Sequence, residues 1–198
     1  MSSVVLSGDT SGTVTVTVPA IAGSNTVTVP AGTGTVAVQG VSTNIVSGTA
    51  VASTSGTSID FTGIPSWVKR ITVLLNVVST SGSSYIRFQL GTGGTPTTTG
   101  YAATASTAGT TWGGSGSSTS GFDSYADNTA SWTRSGALVF TNISGNIWIC
   151  TGAYQYTAAY QVLFSGIVTL SGTLNMVRIT TVNGTDTFDA GSINILYE

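Results

Sequence analysis

Ser58-Ile-Asp-Phe-Thr-Gly-Ile-Pro-Ser-Trp-Val-Lys-Arg-Ile-Thr-Val-Leu-Leu-Asn-Val-Val78 is the stretch on which the reading of this chain turns. Phe61 is the first aromatic residue, Lys69 is the first basic one, and the first long apolar run follows them. Upstream lies a ribbon of Val, Thr, Gly and Ser; every Trp, Tyr and Phe lies from here onward. Gly63-Ile-Pro-Ser66 reads as a turn, because Pro65 biases Ile64 away from the helical region. Ile71, Val73, Leu75 and Val77 then alternate with Arg70, Thr72, Leu74 and Asn76. That is the two-residue period of a strand with one buried face. We read the stretch as the opening strands of a β-sandwich preceded by a stalk.

The same period recurs downstream. In Ser83–Leu90, Ile86, Phe88 and Leu90 oppose Tyr85, Arg87 and Gln89, and the Thr80-Ser-Gly-Ser83 turn predicts a hairpin with the preceding strand. Further strands are expected at 137–142, 146–151, 160–170, 174–182 and 192–197, with Asn183-Gly184 as the strongest hairpin dipeptide. The Tyr160–Leu170 segment is apolar on both faces, Val162, Phe164 and Val168 against Leu163 and Ile167, so its second face needs a neighbour. Gly91–Ser120 is glycine-rich and nearly free of aliphatic residues, with a few short strands expected inside it. No window holds a capped helical stripe. About eight strands at this spacing suit an all-β head, a sandwich of the jelly-roll kind.

Residues 1–52 are taken as a separate leader and residues 53–198 as the head. In the leader, Thr13-Val-Thr-Val-Thr-Val-Pro19, Thr26-Val-Thr-Val-Pro30 and Thr35-Val-Ala-Val38 alternate as short strands between Gly-rich turns. With no aromatic residue, such a segment buries little apolar area against an ordering cost of roughly 1–2 kcal/mol per residue. Copies wound together would cover one another's Val rows and satisfy one another's edges. A flexible leader and extra strands of the head are the other two outcomes.

Charged residues make up only 6% of the 198, with five Lys and Arg, seven Asp and Glu, no His, and a net charge of -2. So little field disfavours nucleic acid and anionic membranes as partners. A single cysteine, Cys150, excludes an intrachain disulfide, and without His the usual zinc frameworks and Ser–His–Asp catalysis are closed. No metal and no cofactor is expected. No run is long enough to span a bilayer, and Met1-Ser-Ser-Val-Val has no signal-peptide character, so cytoplasmic assembly is expected.

Gly56-Thr-Ser-Ile-Asp-Phe-Thr-Gly-Ile-Pro-Ser-Trp-Val-Lys-Arg-Ile-Thr-Val73 resembles the C-terminal region of bacteriophage tail-fibre proteins, and Ala190-Gly-Ser-Ile-Asn-Ile-Leu-Tyr-Glu198 is similar to its end. Ser7-Gly-Asp-Thr-Ser-Gly12, Val18-Pro-Ala20 and Gly34-Thr-Val-Ala-Val38 resemble the repetitive leader that precedes it. Residues 91–136 carry no resemblance. The resemblance implies a homotrimeric fibre in the virion, joined to other tail proteins, whose head adheres to a bacterial surface. It implies no catalytic motif, and Asp60, Pro65, Trp67, Lys69 and Arg70 match the family's first head strands as structural residues.

Neutral saccharides are held by amide, hydroxyl and carboxylate groups and by aromatic rings under their apolar faces. Trp112, Phe122, Tyr125 and Trp132 lie in or beside the longest loops, and Tyr154, Tyr156 and Tyr160 follow an apolar strand. Trp112, Asp123, Tyr125 and Asp127 are the expected glycan contacts. Two alternatives stand beside adhesion. One is a purely structural virion part, a capsid fibre or tail-tip connector. The other is a glycan depolymerase using Asp123 and Asp127, over which the reading of both aspartates as turn caps is preferred.

Overall fold

The computed structural model describes residues 3–7, 13–17, 45–111, 113–157 and 159–198. The chain divides into two units, Met1–Ser42 and Thr43–Glu198. In the first, β1 (Ser3–Ser7) pairs antiparallel with β2 (Thr13–Thr17), with Val4 opposite Val16 and Leu6 opposite Val14. A two-stranded ribbon is marginal alone. The strands expected at 26–30 and 35–38 lie outside the described residues.

The second unit is all-β, and every pairing in it is antiparallel. Its strands are β3 (Val46–Ser47), β4 (Val51–Ala52), β5 (Ser58–Thr62), β6 (Arg70–Thr80), β7 (Ile86–Thr92), β8 (Thr95–Pro96), β9 (Tyr101–Gly109) and β10 (Gly114–Ser118). They continue as β11 (Phe122–Asp123), β12 (Arg134–Ser144), β13 (Ile147–Thr157), β14 (Tyr160–Thr169), β15 (Leu174–Thr181) and β16 (Phe188–Tyr197). A nine-stranded sheet runs β10-β9-β14-β13-β12-β6-β16-β3, with β4 also on β16. A five-stranded sheet runs β11-β7-β15-β5, with β8 also on β7.

The two sheets face each other across one apolar interior. Phe88 of β7 meets Phe164 of β14 edge-on at 5.8 Å, and Phe122 of β11 meets Phe140 of β12 at 5.5 Å. Phe88, Phe122, Phe140 and Phe188 are all fully buried, each stabilising by roughly 1.5–3 kcal/mol relative to exposure. The alternation expected in β7 holds, with Ile86, Phe88 and Leu90 inside. Val162, Phe164 and Val168 of β14 also point inward, while Leu163 and Ile167 stand 37% and 40% exposed on the other face.

In β6 the alternation slips. Ile71, Val73 and Leu75 are inside, but Val77 is exposed and Val78 takes the inner position. The cause is a bulge: β6 loses register against both β12 and β16 here. Val77 has φ 55°, a left-handed conformation that costs a β-branched residue about 1–2 kcal/mol. Its N–H donates to Ser135 Oγ at 3.0 Å, and Gly191 (φ 90°) lies so close that a Cβ there would stand 2.4 Å from the Asn76 and Val77 carbonyl oxygens.

Both expected hairpins are corrected. β6 and β7 lie in different sheets, as do β15 and β16, so 80–86 and 181–188 are arches that cross between the layers. The turn at Asn183-Gly184 forms, with Gly184 at φ 68° and its N–H on the Thr181 carbonyl. It reverses the chain without pairing the strands beside it. The two arches bind each other instead: Asp186 accepts the Ser84 N–H at 2.8 Å, Ser81 Oγ accepts the Thr187 N–H at 3.0 Å, and the Ser81 N–H donates to the Thr187 carbonyl.

Residues 45–56 run along β16, with Ser47 opposite Leu196, Val51 opposite Ile193, and Ser53 and Gly56 bonded to Gly191 and Phe188. They form the sheet's edge, and the expected boundary at 52 falls within them. The chain therefore comes into this unit beside the Arg70 end of β6, opposite the end where β6 meets Arg134.

Candidate functional site

At the end of the unit that holds Thr80 and Arg134, three connections converge: the β9–β10 turn, the β13–β14 turn, and the segment from Asp123 to Arg134. Small residues make the convergence possible. A Cβ on Gly109 would fall 2.2 Å from the Ala159 carbonyl and 2.5 Å from the Tyr160 ring, and one on Gly116 would fall 2.4 Å from the Tyr125 ring. The glycines of β9 and β10 are thus where aromatic rings lie down on the sheet.

Two groups of rings result. Trp132 and Tyr156 have centroids 4.9 Å apart, and Tyr156 stacks on Tyr160 at 6.1 Å and 20°. Tyr156 is buried, while Trp132 and Tyr160 are partly exposed on either side of it. Separately, Tyr125 stacks on Tyr85 at 6.0 Å, and Thr107 Oγ1 donates to the Tyr125 carbonyl at 2.8 Å. Beside Tyr160 opens a cleft of about 220 Å³ lined by Ala108, Gly109, Gln155, Ala159, Tyr160 and Gln161. No lining residue is charged. Thr110 and Thr111 bond the Tyr160 hydroxyl at 3.3 and 3.1 Å and hold its ionisation below the usual tyrosine range. Burial pushes that of Tyr156 up.

Beneath these rings lies the only fully buried ion pair among the described residues. Asp127 Oδ2 accepts Arg134 Nε–H at 2.8 Å and the Tyr154 hydroxyl at 2.6 Å, and Oδ1 accepts the Ser124 hydroxyl at 2.6 Å. Arg134 also donates to the carbonyls of Asp127 and Trp132, and Ser124 Oγ accepts the Ile86 N–H at 3.0 Å. Every lone pair and proton so engaged offsets part of the desolvation of two buried charges. Burial, then the Asp127 charge, drive the Tyr154 hydroxyl well above its ordinary value. The network ties β7, β12 and β13 to the segment that carries Tyr125 and Trp132. Ala126, at φ 61°, makes the twist that sends Asp127 inward.

The three expected glycan contacts that lie among the described residues, Asp123, Tyr125 and Asp127, each have a separate partner. Asp127 is enclosed and its carboxylate serves the interior, which corrects its expected place on a ligand. Asp123 lies on the outer face of the five-stranded sheet, bound bidentately by Arg87 with two bonds of 2.7 Å. Tyr125 is at the aromatic end but belongs to the Tyr85 pair. Trp112 lies outside the described residues. With each aspartate held by its own arginine, Asp123 and Asp127 do not face each other across a cleft as two glycosidase carboxylates must. No group of three metal-ligating side chains occurs among the described residues.

Gln155 and Gln161 did not stand out in the sequence, although Tyr154-Gln-Tyr156 and Tyr160-Gln161 flank a short turn symmetrically. They face each other in register across β13 and β14. A second cleft, about 200 Å³, lies at the other end around Lys69, Asn142 and Trp148, and a third, about 230 Å³, around Arg70, Tyr197 and Glu198. Both of these, unlike the cleft beside Tyr160, have charged residues in their lining. No protein-family model matches this chain, and no curated protein or solved structure does so either.

Proposed function

We propose that this chain is a non-catalytic adhesion protein of the fibre type, whose head binds a neutral saccharide of a bacterial surface in the cleft beside Tyr160. In this reading it is a virion component, a homotrimer with a wound β-leader and a sandwich head, attached to other tail proteins. One observation carries it: an uncharged cleft lined by two glutamines and by Tyr160, itself stacked on Tyr156, sits at the end of the unit opposite the chain's point of arrival. A recognition surface on a fibre belongs at the end away from its tether. The Tyr160 ring offers an apolar face for sugar C–H groups, and Gln155 and Gln161 are side chains of the type that bonds hydroxyls. The cleft is smaller than the roughly 300–1,000 Å³ of drug-sized pockets, a size suited to a terminal sugar unit.

The test is a glycan array probed with the full chain, followed by Tyr160→Ala and Gln161→Ala. Binding to a neutral glycan, lost at least about tenfold in Tyr160→Ala with the fold retained, supports the reading; stacking losses of about 1–3 kcal/mol have this size. An array silent in repeated trials favours the second reading, a structural virion part. A broad uncharged face on the nine-stranded sheet supports that reading independently.

A further inference from the structure

We propose that the outer face of the nine-stranded sheet is the surface through which copies of this chain associate, which rests on the multimeric reading above and assigns it a place. Strand register lines up Leu74, Ala137, Ala153 and Leu163 as one row across β6, β12, β13 and β14. Ile149 and Ile167 pair four residues along. Between the rows stand Thr151 opposite Ser165 and Thr72 opposite Val139. The charged groups of this sheet sit at its margins: Arg70 with Glu198 at one end, Asp189 beyond the bulge at the other.

The five-stranded sheet shows the alternative. Its outer face carries two bidentate pairs, Arg87–Asp123 and Arg178–Asp60, on two neighbouring registers. A chain with so few charges placed four of them on one outer face and none in the middle of the other. Leu163 and Ile167 remain 37% and 40% exposed there.

Size agrees with a specific contact. The six long strands β9, β14, β13, β12, β6 and β16 span about 29 Å across at the usual strand spacing and, short of the Gln155–Gln161 end where the saccharide cleft opens, about 23 Å along, on the order of 670 Å². A standard interface takes about 600–1,000 Å² from each partner, and the aliphatic rows lie in the middle of this footprint. The occupant is a second copy. An uncharged face offers nothing to a nucleic acid or an acidic peptide, whereas a neutral pleated face is complementary to its own kind. Sheets pack face to face at about 10 Å when small residues alternate with aliphatic ones, as Ala, Ser and Thr do with Leu and Ile here.

The experiment is the solution mass of the full chain by light scattering, beside Leu163→Lys/Ile167→Lys and, as a control on the other sheet, Thr62→Lys. We expect a multimer for the unsubstituted chain and for Thr62→Lys, and a mass at least halved for the double variant with its β-type circular dichroism kept. A single-chain mass for the unsubstituted protein overturns both this assignment and the multimeric reading. A multimer that the double substitution leaves intact overturns the assignment alone. Should the double variant not fold, maleimide labelling decides: Ser165→Cys, between the two aliphatic residues, reacts about tenfold more slowly than Thr62→Cys if the face is covered, and equal rates sink the proposal.

Discussion

The two sheets share one interior and differ in what they show to the outside. The five-stranded sheet is finished for water, with its arginines and aspartates paired in register on the outer face. The nine-stranded sheet is larger, holds its charge at the rim, and leaves aliphatic side chains in the open. Burial drives both inner faces alike, so the inner residues say little about the molecule's dealings with others. The outer faces carry that information, and here they disagree.

The largest expected effect falls on what both sheets share. Asp127→Ala leaves the fully buried Arg134 guanidinium without its carboxylate, and should cost about 3–5 kcal/mol in urea unfolding. A loss below about 1 kcal/mol means that water reaches Arg134 and that the two layers are not closed at this end. Next comes a device of the nine-stranded sheet alone. Gly191→Ala places a methyl group against two carbonyl oxygens of the Val77 bulge at positive φ, with an expected cost of about 2–3 kcal/mol. A neutral result means the bulge can relax, and the sheet's outer face would then be less fixed than we describe.

A third prediction concerns pH. Burial raises the ionisation of Tyr101, Tyr154 and Cys150 in the folded protein. A raised folded value stabilises below the unfolded value and loses that stability as pH rises above it. Each group should therefore weaken the fold by up to about 1.4 kcal/mol per pH unit, from about pH 8.5 for the thiol and about pH 10 for the phenols. Tyr154→Phe should flatten the decline above pH 10, measured by denaturant titration across that range; an unchanged slope would show that this hydroxyl is not enclosed. The smallest effect belongs to the five-stranded face. A double-mutant cycle on Arg178 and Asp60, each about 30% exposed, should give a coupling of about 0.2–1 kcal/mol that shrinks in salt.

Much of this was legible residue by residue. The alternation of Ile71, Val73 and Leu75, and of Ile86, Phe88 and Leu90, places these side chains inside because a strand's period is two and water rejects one face. The double apolar character of β14 announced Leu163 and Ile167. Asp127 was not legible: Ala-Asp-Asn-Thr looks like a surface turn, and its partners Arg134 and Tyr154 stand 7 and 27 positions away. Val77 misled for a related reason, since a bulge changes parity and is set by Gly191 on the neighbouring strand. Tyr125 and Trp132 were legible as rings in or beside the longest loops, but their partners Tyr85 and Tyr156 come from other elements.

An all-strand chain poor in charge, with more aliphatic surface than one interior absorbs, follows from residue types and their two-residue rhythm. Those are local quantities, readable over a handful of positions. Whether Thr80–Ser83 and Asn183-Gly184 close hairpins or cross between layers, and which aspartate is drawn inside, depend on partners tens to a hundred positions distant. Turn chemistry acts over four residues and reverses the chain. The choice of neighbouring strand is made by the burial of whole faces, which exists only once the two sheets have closed on each other.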